Sequence, residues 1–114
     1  MESKTLTWSN DPTTPLIEQY VFADPTANAL VVGTGQFQSG QRMPLEGFSS
    51  YGMREITFIL EGSIKTTVGD KTVILKSGDL VTIPANSRQF SHFLEDTRLI
   101  YFFFGRGEGF GETN

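Results

Sequence analysis

The chain has 114 residues, no cysteine, and 9 basic against 13 acidic residues, for a net charge of −4. That length fits one ordinary domain. It has no disulfide or thiolate chemistry, and its scattered arginines and lysines form no basic stripe for nucleic acid or anionic lipid. The amino terminus leads into no apolar run, and the longest apolar block, residues 99–104, is strand-sized, far short of the about 18 residues that cross a bilayer. With no signal peptide and no cysteine, the expected location is the cytoplasm.

In chain order, residues 1–15 form an irregular N-terminal arm, because Asn10, Asp11, Pro12 and Pro15 crowd turn formers together. Residues 17–22 and 29–37 are β-rich runs parted by the turn signal Asp24-Pro25. Within the second run, Gly33-Thr34-Gly35 predicts a bulge. Residues 55–60 alternate, with Ile56, Phe58 and Leu60 on one face and Glu55, Thr57 and Ile59 on the other. Glu61-Gly62 turns the chain into residues 64–68, and Gly69-Asp70 makes a tight hairpin into residues 71–75. A second turn at Gly78-Asp79 leads to residues 80–83, a loop at 84–87, and final strands at 88–93 and 97–104. Residues 105–114, with Gly105, Gly107, Gly109 and Gly111, read as a flexible tail in which Phe110 alone is built to pack. No stretch keeps a period of 3.6, so no long helix is expected. Many short strands predict an all-β sandwich or barrel over residues 16–104. The ten phenylalanines fill its core, a dimer interface or an aromatic-lined cavity.

Two ordered motifs carry a family resemblance. One is Glu55, six residues, then Gly62; the other is Gly78-Asp79, a strand, then Pro84-Ala85-Asn86. In both, the segment from Gly40 to Phe104 resembles the cupin superfamily, with a lean towards the ethanolamine-utilisation cupins. Asn86 stands where the second motif ends in glycine, a mild change because asparagine also accepts a positive φ. The resemblance implies a jelly-roll-like double-stranded β-barrel. It also implies a metal held by His-x-His before the glutamate and by a histidine in the second motif. Those positions depart from the pattern. Counting forward from Pro44 gives Glu46 and Phe48. Counting back from Glu55 gives Ser49 and Tyr51, or Phe48 and Ser50. The second-motif position holds Gln89. The single histidine, His92, lies an odd number of residues further on, facing away from Gln89 if the strand is regular.

A three-histidine, one-glutamate site cannot be built here, so no tightly held cofactor is expected. A weak metal at Glu46, Glu55, Gln89 and His92, and with it an atypical metal-dependent enzyme, is the remaining metal reading. Metal-free work in the same cavity needs fewer parts. Glu55, desolvated inside the barrel, suits a general acid or base. Tyr51 or Tyr101 can donate to a carbonyl or enolate oxygen. Arg42 or Arg88 can hold a substrate carboxylate, with Gln89 and Glu46 as further ligand contacts. Such a set serves proton transfer beside a carbonyl, as in an isomerase, lyase or cyclase. Each residue also has a plainer role: Glu55 as a structural acceptor, Glu46, Arg88 and His92 as solvated surface, Tyr51 as core. Two functions follow, an acid–base enzyme centred on Glu55 or a binding or accessory module without turnover. If Glu55 faces the cavity, it should lie within reach of Gln89, Tyr51 or an arginine. The apolar faces of residues 56–60 and 97–104 predict a homodimer.

Overall fold

Short β-rich runs punctuated by glycine turns can satisfy their backbone groups only by pairing with one another. The structure, a computed structural model, describes residues 1–25 and 28–106. Among the described residues there are nine strands and no helix: β1 (Leu16–Ala23), β2 (Asn28–Phe37), β3 (Arg42–Met43), β4 (Arg54–Glu61), β5 (Ser63–Val68), β6 (Lys71–Lys76), β7 (Leu80–Ile83), β8 (Gln89–Phe93) and β9 (Thr97–Arg106). They form a five-stranded sheet in the order β1-β2-β9-β4-β7 and a four-stranded sheet in the order β3-β8-β5-β6. Every pair is antiparallel. The two sheets face each other as the predicted single-domain jelly-roll-like barrel. The two-residue β3 was not foreseen. β9 runs through Gly105 and Arg106, two residues into the predicted tail; residues 107–114, Phe110 among them, lie outside the described residues.

The barrel closes on an apolar plug of Phe37, Ile59, Ile64, Leu75, Phe93 and Leu99. Phe37 from one sheet and Phe93 from the other stack at 3.8 Å with their planes 6° apart, so the sheets meet through this pair. Burying each such side chain contributes about 1.5–3 kcal/mol. Gly62 makes the β4–β5 corner possible. Its φ is +96°, and a Cβ there would collide with the Asp96 carbonyl and Thr97, so the first motif requires glycine on two counts.

The predicted bulge lies elsewhere. β2 pairs with β9 through Gly33 and Gly35 without a break. The irregularity falls in β1, between Glu18 and Tyr20. The glycines instead make room: a Cβ on Gly33 would run into the Tyr101 ring, and one on Gly35 would come within 2.8 Å of Phe37 and 2.9 Å of Leu99. Gln19, the extra residue of the bulge, is buried beside Thr34, and the N-terminal arm seals both. Gln19 Nε2 donates to the Thr7 carbonyl at 2.8 Å and Thr34 Oγ1 to the same oxygen at 2.6 Å. Lys4 Nζ donates to the Gln19 carbonyl at 2.8 Å.

Candidate functional site

Strand alternation decides which side chains enter the barrel. On β4, Glu55, Thr57 and Ile59 point inward while Phe58 and Leu60 are exposed outside, the register the sequence required. On β8 the inward set is Gln89, Ser91 and Phe93; on β9 it is Leu99, Tyr101 and Phe103. Above the apolar plug these strands leave a cavity of about 170 Å³. Phe37, Ile64, Phe93 and Leu99 make its floor; Ser49, Tyr51, Glu55, Gln89, Tyr101 and Phe103 make its upper wall.

Among the described residues lining it, Glu55 alone carries a charge. Thr57 Oγ1 donates to Glu55 Oε2 at 2.7 Å, and Gln89 Nε2 donates to Oε1 at 3.1 Å. Burial pushes the carboxyl above its ordinary value, and the bonds from Thr57 and Gln89, which favour the charged form, only partly oppose it. Tyr101 is pushed up to about 12, first by burial and then by the negative fields of Glu18, Tyr51 and Glu55. It is therefore a neutral donor at any ordinary pH. Tyr51 packs on Phe103 with ring centres 4.8 Å apart, and Tyr101 on the same ring at 5.4 Å.

Local structure aims these groups. Gln89 and Ser49 exchange backbone hydrogen bonds of 2.8 Å in each direction, an isolated bridge that sets both residues at the cavity wall. Asn86 adopts the left-handed φ of 65° that its place in the second motif called for. That conformation lets its N–H donate to the Tyr51 carbonyl at 2.6 Å, tying the β7–β8 loop to the segment that enters β4.

Of the residues singled out from sequence, the fold brings Glu55, Tyr51, Gln89 and Tyr101 into one cavity. It does not bring Arg42, Arg88, Glu46 or His92 there. Arg42 turns back on its own loop, donating to the Pro44 carbonyl at 2.9 Å and the Gly47 carbonyl at 2.7 Å, with its guanidinium 4.5 Å over Phe90. Arg88 is exposed and lies 4.4 Å over Phe48. Glu46 is exposed in the same loop. His92 projects from the outer face of β8, edge-on to Phe90 and in register with Arg42 and Lys65, as its odd offset from Gln89 predicted. Of the three ways of counting the first motif, the cavity contains Ser49 and Tyr51. Sequence reasoning missed Phe103, and also Thr66 and Ser91, whose hydroxyls meet at 2.9 Å. Ser91 was legible, two residues beyond Gln89 on one strand; Thr66 needed the β5–β8 register.

The metal that the motifs imply does not fit this donor set. Ser49, Tyr51 and Gln89 occupy the histidine positions, leaving one carboxylate among hydroxyls and an amide. No three His, Cys, Asp or Glu side chains converge anywhere among the described residues. Glu46 and His92, which would complete a weak site with Glu55 and Gln89, are outside the barrel. A transition metal requires imidazole, thiolate or several carboxylates.

Residues 34–103 match the protein family described as the cupin domain. No curated protein matches the chain. Among solved structures, KdgF from a Halomonas species superposes with a TM-score of 0.64 at 19% identity, covering 86% of this chain and 85% of its own. The SPY1581 protein of unknown function from Streptococcus pyogenes gives 0.61 at 16% identity, over 90% and 88%. A DMSP lyase structure gives 0.60 at 23% identity, over 73% of this chain and 41% of the lyase. At these identities the likeness establishes the fold.

Proposed function

The chain belongs to the cupin family, and on that premise we propose that it binds a small organic molecule inside the barrel, with Glu55 as the group that moves a proton. The observation that carries this is Glu55 itself, the one charged side chain among the described residues of the cavity wall, raised in pKa by burial and held in place by Thr57 and Gln89. A carboxyl poised nearer neutrality works in either direction as acid or base. Tyr51 and neutral Tyr101 supply hydroxyls for an oxygen that gains charge as the proton leaves carbon. That is metal-independent isomerase, lyase or cyclase chemistry. The cavity of about 170 Å³ is close to the roughly 150 Å³ that accepts benzene in an engineered core, so the ligand is a single ring or a short chain.

A second reading, a binding or accessory module without turnover, draws support from the engagement of both Glu55 oxygens by neighbours. In either reading the exposed outer face of Phe58, Leu60, Leu80 and Phe104 is covered by a second copy of the chain. The cysteine-free composition suits the cytoplasm.

The test pairs wild type with Ser91→Phe, which fills the cavity. Native mass spectrometry and a ligand-observed NMR screen of ring-sized compounds should find binders to the wild type that the variant loses. Equal binding by both proteins would show that the ligand sits outside the cavity. For the bound compound, deuterium uptake from D2O should be catalysed by wild type and lost in Glu55→Gln; uptake by neither protein favours the module.

A further inference from the structure

Resting on the reading that the barrel cavity holds a small molecule, we propose that its ligand is an organic cation, an amine or ammonium compound of about one ring, held by the Glu55 carboxylate among the rings of Tyr51, Tyr101 and Phe103. Among the described residues, the cavity wall contains one acidic side chain and no basic one. The arginines near it whose side chains are described are committed elsewhere: Arg42 to two loop carbonyls, Arg88 to Phe48, and Arg54 to Thr82 Oγ1 at 2.9 Å on the outer face. An anionic ligand would meet Glu55 with nothing to offset either charge. A cation supplies the partner that the protein withholds.

The partners of Glu55 point the same way. Thr57 and Gln89 are neutral donors, one to each oxygen. A carboxylate has about four acceptor positions, so each oxygen keeps capacity for an N–H or ammonium group. Around it the rings are mutually inclined, Tyr51 to Phe103 by 51° and Tyr101 to Phe103 by 62°. Inclined rings flank a guest from several directions, and aromatic rings attract cations within about 6 Å. A neutral guest would use the rings and leave the carboxylate without a charged partner.

Benzylamine, benzyl alcohol and benzoate have nearly the same size and separate these cases by calorimetry. At neutral pH benzylamine should bind at least about tenfold more tightly than benzyl alcohol, because a charge-assisted hydrogen bond is roughly twice as strong as a neutral one, and benzoate should not bind. Benzylamine affinity should rise with pH as Glu55 ionises, while benzyl alcohol affinity stays flat. Tyr51 on the entering segment and Tyr101 on β9 face Glu55 across the cavity, with Glu18 on β1 beyond Tyr101. Glu55→Gln should erase the preference for the amine and keep benzyl alcohol binding; the pH series on wild type gives the same answer if that variant folds poorly. Benzyl alcohol or benzoate binding as well as benzylamine overturns the cation and leaves small-molecule binding intact. Failure of all three probes overturns both.

Discussion

Replacing Gly33 with alanine tests how the cavity wall is assembled. Gly33 has no positive φ, so its backbone accepts an L side chain, and alanine in place of a strand glycine gains about 0.4–1 kcal/mol from the unfolded chain. Against this, the new Cβ runs into the Tyr101 ring. That ring is backed by Phe103 at 5.4 Å and moves only by shifting a packed neighbour, which costs about 1–3 kcal/mol. Gly33→Ala alone should therefore destabilise by roughly 0–2.5 kcal/mol. With Tyr101 already cut to alanine the obstacle is gone, and the same substitution should be neutral or stabilising by up to about 1 kcal/mol. The sign of the Gly33→Ala effect thus depends on Tyr101. Urea unfolding of the four proteins, followed by circular dichroism and with slopes compared, gives the coupling directly. Equal costs in both backgrounds would show that the ring does not rest on Gly33.

Three further outcomes are expected. Glu55 has a raised folded-state pKa, so the stability it contributes is complete below its unfolded value near 4.5 and is lost as pH climbs through the folded value. Glu55→Gln, which stays uncharged, should therefore gain on wild type as pH rises above that unfolded value, by about 1.4 kcal/mol for each pH unit separating the two midpoints; a difference in urea stability that does not change with pH contradicts the assignment. Sedimentation at micromolar concentration should show a dimer, and Phe58→Lys, which puts a charge in the exposed patch, should shift it to monomer; a monomeric wild type refutes the pairing. Protein gel-filtered with a mild chelator should carry far less than stoichiometric iron or zinc, and stoichiometric metal by elemental analysis would reopen the donor set around Glu55 and Gln89.

Most of the barrel was legible because turns and alternation are local. Gly69-Asp70, Glu61-Gly62 and Gly78-Asp79 mark their corners in the chain itself, and the polar positions of residues 55–60 fix which face is inner. The site was legible to the extent that it follows those periods. Glu55, Gln89 and Tyr101 are inward members of regular strands, and His92 is an outward one by the same rule. The arginines were not legible, since a long flexible side chain is directed by whatever carbonyls and rings lie nearby, here Pro44, Gly47 and Phe90 for Arg42. The glycines of β2 were misread for a related reason. Their use is to admit Tyr101 and Leu99 from a strand some 65 residues away, and no window of sequence contains both partners.

The bond from the Asn86 amide to the Tyr51 carbonyl joins the same two loops as the Ser49–Gln89 bridge, at the end nearer Tyr51. Were a ligand to enter past Tyr51, the bond would have to stretch or break, which makes this one amide proton a clock for that route. Its exchange with solvent deuterium counts openings. With a guest in place the clock should slow, while amides in the exposed β5–β6 hairpin, at the far edge of the other sheet, keep their own time.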